Sequence, residues 1–146
     1  MSEIPKNIQE FNQITGFILA RLYEVHPHPE DINQADLATQ MGIPAENWAA
    51  HVLPSGRPFG PFSAETIGWL NNQDYIKAHG LHIASRVILT DKGFRSLNAA
   101  PVQLNGPVGT KLTEEARKGP FADLSAIGDL IGGLFGGFTK SMSSGS

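Results

Sequence analysis

The 146-residue sequence has no cysteine. That excludes disulfides, thiol nucleophiles and cysteine-ligated zinc. Charge is scarce: 17% of residues are ionisable at neutral pH, against ~25% in an ordinary globular chain. Eleven Lys and Arg stand against fourteen Asp and Glu, a net charge of −3. The chain as a whole is therefore not drawn to phosphate backbones, and only a local basic stripe could be. No apolar run approaches the ~18 residues that a spanning helix needs. The opening MSEIPKNIQEF has no basic stretch followed by an apolar one, so no secretory leader and a cytoplasmic location are expected. There is no G-x-x-x-x-G-K-[ST], G-x-G-x-x-G or G-x-S-x-G motif. A non-enzymatic protein without cofactor or metal is expected.

What is present is helical periodicity broken by strong punctuation. Ile8, Phe11, Thr15, Ile18, Leu22 and Val25 recur every three or four residues, widened by Ile14, Phe17 and Leu19. This spacing predicts a helix of about five turns with one buried stripe, starting near Pro5 and stopped by Pro27 and Pro29. Asn33 is placed to cap a second helix, with Ile32 and Leu37 as a staple, Ala35, Leu37, Ala38 and Met41 inward, and Gly42 as its stop. Pro44 opens a short helix expected over 45–53, burying Trp48 and Val52. The stretch 54–62, rich in proline and glycine, reads as a stiff loop. Ser63 then caps a helix over 64–73 with Ile67 and Leu70 inside. Residues 75–90 read as strand, turn and strand. Thr90 caps a helix carrying Phe94 and Leu97.

The expected fold is mainly α (α+β): a winged helix with a two-stranded β-hairpin wing over 1–98, an irregular linker over 99–120 with one or two helical turns within 111–118, a glycine-rich apolar helix over 121–140 and a disordered tail over 141–146. TIGWLNNQDYI (Thr66 to Ile76) followed by VILTDKGFRSL (Val87 to Leu97) resembles the third helix, wing and closing helix of bacterial winged helix-turn-helix repressors of the phenolic-acid and multiple-antibiotic-resistance type. Asp74 stands where that family has glycine, and Gly93 is read as the point where two backbones approach closely. There is also a likeness to bacterial winged-helix proteins that implies no particular activity.

The resemblance implies duplex DNA as partner, bound by a dimer, with the third helix in the major groove and the wing on the backbone. The outward face of that helix is expected to show Glu65, Thr66, Gly68, Trp69, Asn72 and Gln73. Asn72 and Gln73 could read adenine edges. Arg57, Lys77, Arg86, Lys92 and Arg95 are the candidate phosphate contacts, with His79 and His82 nearby. Against this, the helix has no Lys or Arg, and Glu65 repels phosphate.

The tail suggests a different class of function. Gly128, Gly132 and Gly136 line one helix face, beside Leu130, Leu134, Phe135 and Phe138. Each interior glycine costs a helix ~1 kcal/mol against alanine, so something must cover this segment. Its own domain, another copy of the chain meeting it along the glycine ridge, or a membrane surface could do so. No spanning is expected, because Asp123 and Asp129 interrupt the apolar run. The alternative function is thus a protein-interaction module that forms homo-oligomers through residues 128–138. His26, His28, Glu30 and Asp31 have metal-ligand chemistry but no spacing that fixes a site.

Overall fold

A computed structural model describes residues 4–137. Among them the chain forms six α-helices and one two-stranded antiparallel sheet, a mainly helical α+β arrangement. No described helix is long and apolar enough to cross a membrane.

Helix α1 (Lys6–Val25) begins behind Pro5, whose carbonyl accepts from the amides of Ile8 and Gln9, each at 3.0 Å. It ends where His26 meets Pro27 in a cis peptide. The seven consecutive residues from Ile14 to Ala20 are all buried. Seven residues cover almost two turns, so the helix is enclosed on every side rather than along one stripe. The stripe expectation fails at its ends: Ile8 is exposed and Val25 half-buried.

Helix α2 (Gln34–Gln40) has the expected cap: the Asn33 Oδ1 accepts from the Asp36 amide at 3.0 Å. Such a cap stabilises a helix by about 1 kcal/mol. Leu37 and Ala38 are buried, and Gly42 closes the helix at φ +78°. The helix expected over 45–53 is one 3₁₀ turn, Trp48–Ala50, and Val52 is 61% exposed. The chain instead turns back on itself: Val52 bridges Pro58, and Gly56 takes φ +95°. The buried Glu10 carboxylate of α1 accepts from the Ser55 amide at 2.8 Å and ties this turn down.

Helix α3 (Phe59–Asn72) starts five residues before the expected position. Pro58 is its N-cap and Pro61 falls in the first turn, where a missing N–H breaks no helical bond. Ser63 therefore lies inside the helix, accepting from the Gln34 side chain at 2.8 Å and binding α2 to α3. Ile67 and Leu70 are buried, as expected. Asp74 accepts the left-handed conformation, φ +63°, at the position where the resembled repressors have glycine.

Strands β1 (Ile76–Ala78) and β2 (Val87–Leu89) pair with Ile76 opposite Leu89 and Ala78 opposite Val87. Glu30, between α1 and α2, bridges Val87 on the far edge of β2. Helix α4 (Asp91–Asn98) is capped by Thr90, which accepts from the Gly93 amide at 3.0 Å. A Cβ on Gly93 would stand 2.1 Å from the Tyr75 carbonyl, so only glycine fits that contact.

The expected linker over 99–120 is not a linker. It contains α5 (Val108–Ala116), whose Val108 and Leu112 are fully buried. Helix α6 (Leu124–Gly132), capped by Asp123, buries Ile127 and Ile131 and passes into a π-helical turn at Gly133–Gly137. Phe121 precedes the helix in a 3₁₀ turn and is exposed, not part of an apolar helix. One hydrophobic cluster runs from Ile14 through Leu70 and Leu97 to Ile131, so the described residues 4–98 and 121–137 are not separate units. The reason is Gly16 in the middle of α1. An added Cβ there would lie 2.2 Å from Ile127 Cγ2, and its absence lets α6 seat on α1.

Candidate interaction surface

Helix α3 is held by three sets of contacts that leave one flank outward. Ile67 and Leu70 enter the core, and Phe59 and Phe62 anchor the first turn. Asn71 fixes the hairpin: its Nδ2 donates to the carbonyls of Ile67 (3.0 Å) and Ile83 (3.1 Å), and its Oδ1 accepts from the Ala78 amide (3.2 Å). Nothing in the sequence distinguishes this asparagine from Asn72, which is exposed. The tip of the hairpin then carries Leu81, fully exposed, and Ile83, close to Gly68.

Trp69 lies on the flank of α3 nearest α1 and is 39% exposed. Its ring meets Phe11 edge-on at 5.1 Å and Phe135 at 5.5 Å, and lies parallel to Tyr75 at 6.1 Å. The tail thus closes an aromatic cluster on α3. Beside it an open groove of about 360 Å³ separates α1 from α3, lined by Ile8, Phe11, Phe62 and Trp69, with Arg57 and Glu65 as its charged groups.

Several of the residues expected to meet DNA are engaged within the fold. Thr66 is a correction: it is 2% exposed, and its hydroxyl donates to the Phe62 carbonyl at 3.0 Å. Its position lies one residue from Ile67, on the inner side of α3 as the longer helix is oriented. Asn72 and Gln73 are exposed at the helix end. Lys92 donates to the Gln73 carbonyl at 2.9 Å and covers the Tyr75 ring at 4.3 Å. Arg95 pairs with Asp91 at 2.9 Å. Arg57 stands over the Phe62 ring at 5.8 Å. Lys77 and Arg86 are exposed on the hairpin. Arg86 sits at φ +49°, its amide donating to Asp31 at 2.8 Å. His82 contacts the Ser85 hydroxyl at 2.8 Å.

Glu30, Asp31 and His26 of the histidine and carboxylate group at the end of α1 are spent on structure. Glu30 grips the Arg21 guanidinium with both oxygens, and this bond holds the Arg21 pKa above its ordinary value. Asp31 is bound to Arg86, and His26 stacks on Phe94 at 4.7 Å. The wider groove between α1 and α2 is lined by Arg21, Glu30 and Asp31 of this group.

The glycine ridge of the tail faces inward in part. Gly128 lies against Gln13 and Gly132 against Asn12, so both point to α1 rather than to a second copy. Leu130, Leu134 and Phe135 pack on the core, Gly136 is exposed, and Phe138 lies outside the described residues. The cover of the described tail is α1 of its own chain. No protein-family model, curated protein or solved structure matches this chain.

Proposed function

We propose that this chain is a non-enzymatic, winged-helix-type module of the cytoplasm that works by binding a protein partner through the outer flank of α3. The scaffold reading rests on the order of helix, helix, helix, hairpin, helix, made one unit by the Glu30–Val87 bridge and the Asn71 contacts. The single observation that carries the binding reading is the character of that flank. It presents Glu65, Trp69 and Asn72, with exposed Ile8 on one side and the apolar hairpin tip, Leu81 and Ile83, on the other. Exposed aromatic and aliphatic groups with few charges suit a protein partner. Phosphate needs free cations, and here Lys92 and Arg95 are engaged within the fold.

A second reading, duplex DNA binding, is favoured by the same helix order and by the exposed Lys77 and Arg86 on the hairpin. The two separate in one experiment, fluorescence anisotropy of a mixed-sequence duplex titrated with the full chain at low salt. The protein-partner reading expects no saturable binding. Micromolar binding that falls steeply with salt would replace it, the slope giving about 0.9 per phosphate contact.

A further inference from the structure

We infer that the groove between α1 and α3 is the interface of a twofold dimer of this chain. The inference rests on reading the α3 flank as a protein surface, and it names the partner. A twofold interface must be self-complementary, the same patch offering both the projection and the recess. This face offers both. Ile8 is 41% exposed in the first turns of α1, three residues before Phe11, and Ile4, in the extended chain just ahead of the Pro5 cap, is 50% exposed. Beside them lies the recess floored by Phe11, Phe62 and Trp69. An aliphatic ridge of one copy can fill the recess of the other, while its own recess receives the partner's ridge.

The charges fit the same symmetry. Arg57 and Glu65 line this groove, and neither forms an ion pair among the described residues. Arg57 comes from the turn ahead of α3. Glu65 is six residues into the helix from Phe59, about 9 Å along its axis at 1.5 Å per residue. The Arg57 guanidinium stands over the Phe62 ring, so the groove is positive there and negative about one helical turn further along, at Glu65. An antiparallel copy sets each Arg57 against the other copy's Glu65, whereas a parallel copy sets like against like. The tail glycines do not serve this purpose, since Gly128 and Gly132 already face α1.

Sedimentation velocity of the full chain from about 1 to 100 µM tests this, a range suited to a small, transient interface. A reversible dimer is expected. Ile8→Asp should abolish it while leaving the circular-dichroism melt intact. Arg57→Glu and Glu65→Arg should each weaken it by about tenfold, because twofold symmetry doubles each reversal. The double variant R57E/E65R should return it to within about threefold of the parent. A monomer at about 100 µM, or a double variant no better than the singles, overturns the dimer. A monomer that also binds no duplex overturns the dimer alone, whereas a duplex-binding monomer overturns the protein-partner reading with it.

Discussion

Residues 6–98 and residues 99–137 contribute to the same core by different means. In the first region the contacts are announced by side chains: Ile67 and Leu70 on α3, Ile76 and Leu89 in the hairpin, Leu97 on α4, all buried. In the second, buried Val108, Leu112, Ile127 and Ile131 reach the core only because side chains are missing at their points of approach. Helix α6 reaches α1 at Gly16, and α5 reaches Tyr23 through Gly109, where an added Cβ would be 2.6 Å from the ring. A glycine that permits a close approach has no hydrophobicity to register in a periodic pattern. A segment docked through glycines therefore reads as a linker and an appendage, although it completes the enclosure of α1 and delivers Phe135 to Trp69.

The hardest test of this contrast is Ile127→Ala. Emptying a fully buried isoleucine site costs about 2–5 kcal/mol, a large part of the ~5–15 kcal/mol of a typical domain. Urea unfolding should remain a single transition at a much lower midpoint. If the tail were an appendage, the main transition would stay where it is.

The same contrast defines what the sequence made legible. The Asn33 and Thr90 caps, the stop at Gly42, the hairpin and the inward faces of α3 were all readable, because each depends on a local rule of backbone geometry or hydrogen bonding. The start of α3 was not, because a proline at the N-cap and another in the first turn resemble a loop and are equally compatible with a helix end. Thr66 was misplaced for a related reason: its polar side chain is buried by bonding to its own helix at Phe62, which an inside–outside count of polar residues misses. At the candidate surface, Trp69 was legible as a half-exposed aromatic. Its partners Phe11 and Phe135, 124 positions apart in the chain (135 − 11), were not.

A finer test sets two glycines of the α1–α6 contact against each other. Gly16→Ala should destabilise by about 1–3 kcal/mol, because the new methyl collides with Ile127, less up to ~1 kcal/mol returned by better helix propensity. Gly128→Ala should have the opposite sign. Its Cβ would meet Gln13 at an ordinary 3.6 Å, so the ~0.5–1 kcal/mol propensity gain should survive. Equal signs in the two melts would mean that the contact is not pinned at Gly16.

The smallest expected effect is at the α5–α6 junction. Glu115 accepts from the Asp123 amide at 2.8 Å and from Lys118 at 3.0 Å, and the amide bond foremost holds its pKa below the ordinary 4.5. A carboxylate lowered by folding contributes stability above its unfolded pKa and loses it as pH falls through the lower folded value. Protection of the Asp123 amide should therefore decline below pH 4.5, and Glu115→Gln should flatten that decline. An unchanged profile in the variant would assign the effect to another group.

The claim beneath all of this is that α1 is closed by both regions at once, so that the surface at Trp69 exists only with the tail in place. Native-state hydrogen exchange on the full chain reads it directly. The amides of Leu112, Ile127 and Ile131 should exchange only through global unfolding, with the same free energy and denaturant dependence as those of Ile14 and Leu19. Exchange of the α5 and α6 amides through a separate opening lower by about 2 kcal/mol or more, with α1 still protected, would contradict it.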